Sequence, residues 1–176
     1  MKKLETEEII RISTEEFKKA SKTPLVVVLD HIRSLNNVGS IFRTCDAYRT
    51  ERMVLCGITA TPPNAEIHKS ALGAEFSVDW VHYEDTLEAI NDLKREGYTI
   101  IAIEQATDST MLDDFAPAKD ARYAIIMGNE VNGVQQEAID MADLCIELPQ
   151  YGTKHSLNVA VTAGIVIYNL TMKMIR

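Results

Sequence analysis

The sequence lacks the features of several specialised protein classes, and each absence narrows the choice of fold. It has only three cysteines, Cys45, Cys56 and Cys145, which lie far apart and form no C-x-x-C pair. Neither a disulfide framework nor a zinc site fits this spacing, so we interpret the cysteines as buried small apolar residues. No Gly-, Ser- or Pro-rich linker divides the 176 residues, and no internal repeat occurs. The composition therefore predicts a globular chain with a sizeable core.

Long hydrophobic runs are also missing. The first ten residues, MKKLETEEII, place three glutamates where a secretion signal needs an unbroken apolar stretch. The longest apolar region, residues 157–172, is interrupted by Asn158, Thr162 and Asn169. It falls short of the roughly 20 apolar residues that span a bilayer. We expect a soluble, cytoplasmic protein with no membrane association.

An excess of positive charge is the third absence. The formal net charge of −8 argues against a nucleic-acid binder whose whole surface is basic. The acidity is uneven, however, because residues 75–114 hold eleven acidic and two basic residues, while the rest of the chain sums to +1. Residues 31–52 carry four arginines against two acids. We therefore expect the acidic segment to face solvent and residues 31–52 to form a mildly basic face.

Four common catalytic motifs are absent as well. There is no G-x-G-x-x-G for dinucleotide binding, and the glycine-rich residues 128–133 lack the Lys-Ser/Thr of a P-loop. The four histidines form neither H-E-x-x-H nor any i, i+4 pair, and G-x-S-x-G does not occur. These absences disfavour a nucleotide hydrolase, a metal hydrolase and the commonest type of serine hydrolase, and we expect no metal.

The sequence does contain an alternation of short β-branched runs with helical patterns. The segment 85–97 begins with a capping box at Asp85 and Glu88 and ends at Gly97, which predicts a helix between two strands. Repeated βαβ units of this kind predict an α/β fold with a mostly parallel sheet and helices on both faces. Six runs predict strands: Leu25–Leu29, Met53–Cys56, Val78–Val81, Tyr98–Ile103, Tyr123–Met127 and Leu144–Leu148.

The first 22 residues differ from the rest, with six basic residues against five acidic ones and a helix start near Ser13 or Thr14. We interpret residues 1–22 as a short helical extension, either solvated or facing the substrate. Residues 23–176 then form a single domain.

Three polar segments follow predicted strands, where ligand sites of parallel sheets collect. The first leads into a helix predicted to begin near Val38. On it, Gly39 and Arg43 share a face, so that the glycine leaves room beneath the guanidinium. The second segment begins where a buried strand breaks at Gly128. The third follows a strand stopped by Pro149 and leads to a helix predicted to begin near Ser156. We expect the functional site where these segments meet.

These segments resemble the ordered motifs of a known family. The SpoU (TrmH) family comprises SPOUT-class RNA 2′-O-ribose methyltransferases, and the resemblance extends from about Leu25 to Met172. Gln150 departs from the family, which often has Met there, and this affects only a local packing contact. The similar motifs are Asn37-x-Gly39-x-x-x-Arg43, Gly128-x-Glu130-x-x-Gly133 and Leu148-Pro149-x-x-Gly152-x-x-x-Ser156-Leu157-Asn158-Val159.

The resemblance implies an α/β-knot fold, in which the C-terminal part threads through a loop as a deep trefoil knot. General topology rules argue against knots, so composition and periodicity alone would not predict one. It also implies a bent S-adenosylmethionine cofactor. A pocket built from backbone suits this group because amides both donate and accept hydrogen bonds. By position, the resemblance assigns the cofactor to five residues: Ile103, Gly128, Leu148, Ser156 and Leu157.

The resemblance makes Arg43 the catalytic residue, often discussed as the base. Because a guanidinium keeps its proton in proteins, we prefer a role in which Arg43 stabilises the developing alkoxide and clamps the adjacent phosphate. An isolated arginine would more often form a surface salt bridge.

Four further residues complete the catalytic set implied by the resemblance. Asn37 is expected to orient Arg43 or the ribose, although a lone Asn would more often be a turn residue. Glu130 is expected to pair with the region of Arg43 or Asn37, or to support the knot loop. Ser156 and Asn158 are either helix caps or caps that also contact the active site.

The substrate expected from the resemblance is tRNA or rRNA, bound by Arg33, Arg43 and Arg49 with modest, salt-sensitive affinity. The last helix, from about Asn158 to Met174, is apolar on more than one stripe, so we expect a homodimer through it. One alternative is a non-catalytic RNA-binding paralogue of the same fold, which the joint presence of the catalytic residues disfavours. Another is a flavodoxin-like nucleotide-binding regulator, which the missing phosphate-binding motifs disfavour.

Overall fold

The fold is an open parallel sheet covered by helices on both faces, in a computed structural model that describes residues 1–5 and 8–175. The strands are β1 Thr23–Asp30, β2 Thr50–Cys56, β3 Trp80–Tyr83, β4 Thr99–Ile103, β5 Thr110–Met111, β6 Tyr123–Met127 and β7 Leu144–Glu147. The helices are α1 Thr14–Lys19, α2 Leu35–Ala47, α3 Ala65–Ala71, α4 Ala74–Ser77, α5 Thr86–Arg95, α6 Gln136–Met141 and α7 Val159–Met174. The sheet order is β3-β2-β1-β6-β4-β7-β5, and the neighbouring strands run parallel. This confirms the predicted α/β class.

Alternation along the strands divides the core into two layers, because successive strand residues point to opposite faces of a sheet. Val27 and Leu29 of β1 pack in the layer that contains α2 and α7. Val26 and Val28 pack in the opposite layer, with α5 and α6. The central strand β1 is therefore buried on both faces, as its unbroken apolar run predicted.

Several element boundaries differ from the prediction. The helix α2 begins at Leu35 rather than near Val38, because the side chain of Ser34 caps it by accepting a hydrogen bond from the backbone N–H of Asn37. The third strand lies two residues later than predicted, since Val78 ends α4 and its N–H bonds the carbonyl of Ala74. The helices α3 and α4 and the two-residue strand β5 were not predicted, and such short elements depend on packing more than on their own periodicity.

Two predicted helix starts are confirmed. Ser13 and Glu16 form a capping box at the start of α1, and Phe17 of this helix is buried in the core. Asp85 caps α5 by accepting from the N–H of Leu87. The division between an extension and a domain at residue 22 stays a prediction.

Two of the three cysteines are buried, as predicted. Cys45 and Cys56 are buried, Cys145 is half-buried, and all three are free thiols. Burial raises the pKa of Cys45 and of Cys56 to about 12, so both thiols stay protonated at neutral pH. No helix in the described part of the chain is long and apolar enough to cross a membrane.

Asp30 joins three elements at the carboxyl end of β1. The residue is 1% exposed, and its carboxylate accepts hydrogen bonds from Thr86 Oγ1 at 2.7 Å, Gln135 Nε2 at 2.9 Å and the backbone N–H of Gln135 at 3.1 Å. Because Asp30→Ala leaves these buried donors unpaired, we expect it to lower the free energy of unfolding by about 3 kcal/mol. Urea denaturation measures this, with the exposed Asp114→Ala as control. A loss no larger than that of the control contradicts the structural role of Asp30.

Candidate active site

The polar segments predicted as the site meet at one edge of the sheet. The strands β1, β6 and β7 run parallel, so the loops that follow them emerge on the same side. The side chain of Asn129, after β6, donates to the carbonyl of His31, after β1, at 2.5 Å. His31 has a left-handed backbone with φ 54°, a conformation uncommon for a residue other than glycine. A hydrogen bond thus joins the first two segments where their strands end.

The carboxylate of Glu130 holds the start of α2. It accepts hydrogen bonds from Asn37 Nδ2 at 2.9 Å and from the backbone N–H groups of Arg33 at 3.0 Å and Ser34 at 3.1 Å. Partial desolvation raises the pKa of Glu130, but these donors outweigh it, so the pKa lies below its usual value. Glu130 is therefore a charged acceptor at neutral pH. Its bond to Asn37 agrees with one of the roles expected from the sequence, a pairing with the region of Asn37.

Asn37 and Asn158 extend this network to the third segment. Asn37 Oδ1 accepts from Asn158 Nδ2 at 3.1 Å. The Oδ1 atom of Asn158 accepts from the N–H groups of Ala160 at 2.9 Å and Val161 at 3.3 Å, which makes it the N-cap of α7. Asn158 thus caps a helix and also reaches the other segments. Ser156 lies two residues before the cap, so a helix start near Ser156 is wrong by three residues, whereas the predicted range from about Asn158 to Met174 is confirmed.

A cavity of about 790 Å³ opens beside this network. The loops after β4, β6 and β7 and the start of α7 form its wall. Glu130 and Asn158 from the network also line it. All five residues that the sequence assigned to the cofactor lie in the lining: Ile103, Gly128, Leu148, Ser156 and Leu157.

Gly128 sets the shape of the cavity wall. A Cβ atom at this position would lie 2.2 Å from the carbonyl carbon of Gly133 and 2.2 Å from the backbone N of Val134. The chain folds back there, and Asn129 and Gly133 exchange two backbone hydrogen bonds of 2.9 Å. Because the neighbouring atoms are backbone, this close approach requires glycine.

The charged groups in the cavity wall are of one sign. Glu104, Glu130 and Glu147 line it together with His155, and among the residues that the structure describes the lining contains no lysine or arginine. Glu104 is anchored, since its carboxylate accepts from the N–H of Val134 at 3.0 Å. A cavity with this lining suits a cationic ligand, because burying a positive charge needs a compensating negative one.

The three arginines assigned to RNA lie outside the cavity. The side chains of Arg33, Arg43 and Arg49 belong to exposed residues. Within residues 1–5 and 8–175, Arg43 is in no ion pair and its side chain donates no hydrogen bond. A cationic group on the surface of α2 is therefore available to an external anion.

Gly39 makes room for α3 rather than for the side chain of Arg43. A Cβ atom on Gly39 would lie 2.2 Å from Ser70 Oγ and 2.3 Å from the carbonyl oxygen of Ile67. The glycine lets α2 and α3 pack closely, so the prediction that it leaves room beneath the guanidinium is wrong.

Sequence reasoning also missed residues after β4. Glu104 and Gln105 follow this strand directly and line the cavity, and Gln105 Nε2 donates to the carbonyl of His155 at 2.5 Å. Applying the strand-end rule to β4 would have found both. The expectation that the acidic segment 75–114 faces solvent is wrong for two of its members, because Glu104 lines the cavity and Glu75 is 6% exposed.

Comparisons with known proteins agree with this geometry. Residues 24–168 match the model of the SpoU rRNA methylase family. Over 147 residues, 84% of the chain is 29% identical to a 23S rRNA (guanosine-2′-O-)-methyltransferase of Neisseria meningitidis serogroup B. Over 170 residues, 93% of the chain is 30% identical to a tRNA (guanosine(18)-2′-O)-methyltransferase of Thermus thermophilus, covering 82% of its length.

A similar solved structure is that of an AdoMet-bound rRNA methyltransferase from Sinorhizobium meliloti, with a TM-score of 0.78 and 26% identity over 87% of this chain. The chain spans 58% of the length of the Neisseria protein and 58% of the Sinorhizobium chain. The family match nevertheless covers residues 24–168, which contain all three motifs of the site. The chain belongs to the SpoU rRNA methylase family.

Proposed function

We propose that this protein transfers a methyl group from S-adenosylmethionine to a ribose 2′-hydroxyl of tRNA or rRNA. The observation that carries the proposal is the convergence of all three motifs, through Glu130, Asn37 and Asn158, on one acidic cavity. The relatives named as 2′-O-methyltransferases of tRNA and rRNA support the reaction class.

The cavity fits the proposed cofactor in size and in charge. Its volume of about 790 Å³ lies within the range of small-molecule sites. S-adenosylmethionine carries a sulfonium, an ammonium and a carboxylate group, a net positive charge. Among the described residues, three glutamates line the wall with no lysine or arginine. Loop backbone at Gly128 and Leu148 supplies donors and acceptors for its polar groups. When bound, the sulfonium supplies an electrophilic methyl group.

Arg43 is the proposed catalytic residue. The attacking 2′-hydroxyl must lose its proton as the new C–O bond forms, and negative charge develops on that oxygen. The methyl–sulfur bond would break in the same displacement, so that the bound cofactor would leave as a neutral thioether. A guanidinium stabilises this charge and binds the neighbouring phosphate with its several donors, but it cannot serve as the base because it keeps its proton in proteins. The proton therefore passes to that phosphate or to water.

Glu130, Asn37 and Asn158 act as positioning residues in this proposal. The network fixes the first turn of α2 against the cavity, and Arg43 lies two turns further along the same helix. Misplacing a reacting group by about 1 Å can cost 100-fold in rate, so a rigid α2 is required. Ser156 and Leu157 are proposed to contact the cofactor, and Arg33 and Arg49 to bind RNA phosphates.

A homodimer through α7 is part of the proposal. Val161, Ile165 and Tyr168 form an exposed apolar stripe on this helix, with exposed fractions of 52%, 41% and 53%. The ring of Tyr168 meets that of Tyr48, beside the end of α2, at 5.8 Å. A second copy on this stripe would bring the Arg43 of one protomer toward the cavity of the other. A monomer mass in sedimentation equilibrium contradicts the dimer.

A knotted C-terminal part is also proposed, on the family relation. Contacts of the segment between β4 and β6 are compatible with it. The side chain of Gln105 in this segment donates a hydrogen bond to the loop before α7. In the last turn of α7, Lys173 Nζ donates to the carbonyls of Leu112 at 2.9 Å, Asp113 at 3.1 Å and Phe115 at 2.8 Å. The chain path in a crystal structure tests this.

The decisive experiment incubates the protein with methyl-labelled S-adenosylmethionine and with separated tRNA and rRNA. We expect label in one RNA pool, at a 2′-O position that resists alkaline cleavage. Isothermal titration of the cofactor, run in parallel, separates the enzyme and its non-catalytic paralogue from a nucleotide-binding regulator, and methyl incorporation separates the enzyme from the paralogue. Cofactor binding without label in either RNA pool contradicts the proposed reaction.

A further inference from the structure

A second cavity lies on the α3–α4 side of the molecule, away from the residues of the proposed active site. Its volume is about 340 Å³, and it is lined by Pro63, Asn64, Ala65, His68, Glu75 and Phe76. None of these residues lines the larger cavity. The space is at the lower limit of small-molecule sites and suits one flat ring system.

His68 is held in one orientation at this cavity. Its Nδ1 atom bonds the carboxylate of Glu75, whose side chain is 3% exposed. The second oxygen of that carboxylate accepts from the backbone N–H of Gly73 at 3.0 Å. Because Nδ1 faces this carboxylate, Nε2 is the ring nitrogen left to a ligand. The His68 side chain is 58% exposed, so Nε2 is open to a ligand.

Phe76 offers an aromatic surface next to His68. The residue is 59% exposed, and its ring lies 6.1 Å from the His68 ring at an interplanar angle of 50°. Asn64 adds a hydrogen-bond donor. Its Oδ1 is engaged by the N–H groups of Glu66 at 2.9 Å and Ile67 at 3.4 Å, which leaves the Nδ2 group for a ligand.

We propose that this second cavity binds an unpaired nucleobase of the RNA substrate, a proposal that rests on the proposed function. A base can stack on Phe76. Its Watson–Crick edge always offers both a donor and an acceptor, so it can bond His68 Nε2 and accept from Asn64 Nδ2. Sequence-tolerant stacking of this kind is how single-stranded RNA is held. The bound nucleotide is distinct from the one that is methylated.

The cavity belongs to the same rigid unit as Arg43. The helix α3 carries His68 and packs against α2 at Gly39, one turn before Arg43. Ser70 Oγ also donates to the carbonyl of Asn36 in α2 at 3.0 Å. A base stacked on Phe76 and hydrogen-bonded to His68 therefore fixes the RNA relative to Arg43 and helps to select the target ribose.

Fluorescence anisotropy with fluorescein-labelled total tRNA and total rRNA fragments tests the site. We expect Phe76→Ala to raise the Kd of the preferred RNA about 10-fold, as for one lost base stack. Phe76→Leu is expected to have the same effect, because it keeps an apolar side chain but no ring, whereas Phe76→Tyr binds as the wild type does. His68→Ala should weaken binding by a smaller factor. Leu72→Ala is the matched control, since Leu72 is 64% exposed nearby and lies outside the lining.

The cofactor and methyl-transfer assays separate the two proposals. The Kd of S-adenosylmethionine is expected to be unchanged in every variant. If the wild type methylates RNA and Phe76→Ala binds RNA as tightly as the control, the base site is overturned and the proposed function stands. If Phe76→Leu keeps RNA binding and Phe76→Ala loses it, the base site is also overturned. That result indicates an apolar contact, such as a protein partner would make, rather than stacking. If the wild type binds RNA but transfers no methyl group, the reaction is overturned and the variants still decide the base site. Failure to bind either RNA pool overturns both.

Discussion

Arg43→Ala is expected to abolish methyl transfer while leaving the affinity for S-adenosylmethionine nearly unchanged. Arg43 is exposed on α2 and lies outside the cavity lining, so its removal alters no group that would contact the cofactor. Loss of a donor that stabilises developing negative charge costs about 100- to 1000-fold in rate, and loss of the phosphate contact adds to this. Single-turnover methylation measures the rate, and isothermal titration measures the cofactor Kd.

Two further variants make the Arg43 result specific. Arg43→Lys keeps the charge but loses the planar fork of donors, so we expect activity between that of the wild type and Arg43→Ala. Arg95→Ala removes another exposed arginine, in α5, with a side chain 76% exposed, and should leave the rate unchanged. Turnover retained by Arg43→Ala contradicts the catalytic role, and a large loss of cofactor affinity contradicts the separation of Arg43 from the cavity.

The parts of the fold that could be predicted are those whose signal is local. The strand Tyr123–Met127 has the predicted boundaries, because a fully buried parallel strand is an unbroken apolar run. Ser13 and Asp85 mark helix starts, since a capping side chain bonds N–H groups only two or three residues away. In these cases the sequence neighbours of a residue are also its structural neighbours.

The parts that could not be predicted depend on contacts between distant segments. Position 39 must be glycine because α3 packs directly against its backbone. No local pattern near residue 39 indicates that contact. The bond between Asn37 and Asn158 joins residues 121 positions apart. Motif resemblance could place these residues in one site, but their pairing required the folded chain. Glu104 is different, because it follows a predicted strand and was overlooked rather than hidden.

Gly128→Ala is expected to weaken cofactor binding strongly, because the added Cβ atom meets backbone on both near sides. At 2.2 Å from Gly133 C and Val134 N, it forces residues 133–134 to move. That displacement disturbs the hydrogen bond between Val134 N–H and Glu104 and narrows the cavity. Overpacking of this kind costs about 1–3 kcal/mol. If the cost falls on the cavity, the Kd of S-adenosylmethionine rises about 5- to 150-fold, at about 1.4 kcal/mol for each factor of ten.

Gly152→Ala is the matched control for Gly128→Ala. Gly152 lies in the loop between β7 and α7 that borders the same cavity, yet a Cβ atom there has no neighbour within 4 Å. The same change of one methyl group is therefore expected to leave cofactor affinity unchanged. Isothermal titration gives both Kd values, and urea denaturation separates local from global effects. If Gly128→Ala lowers the free energy of unfolding but binds the cofactor as Gly152→Ala does, the fold-back at Gly128 stabilises the protein without shaping the cofactor site.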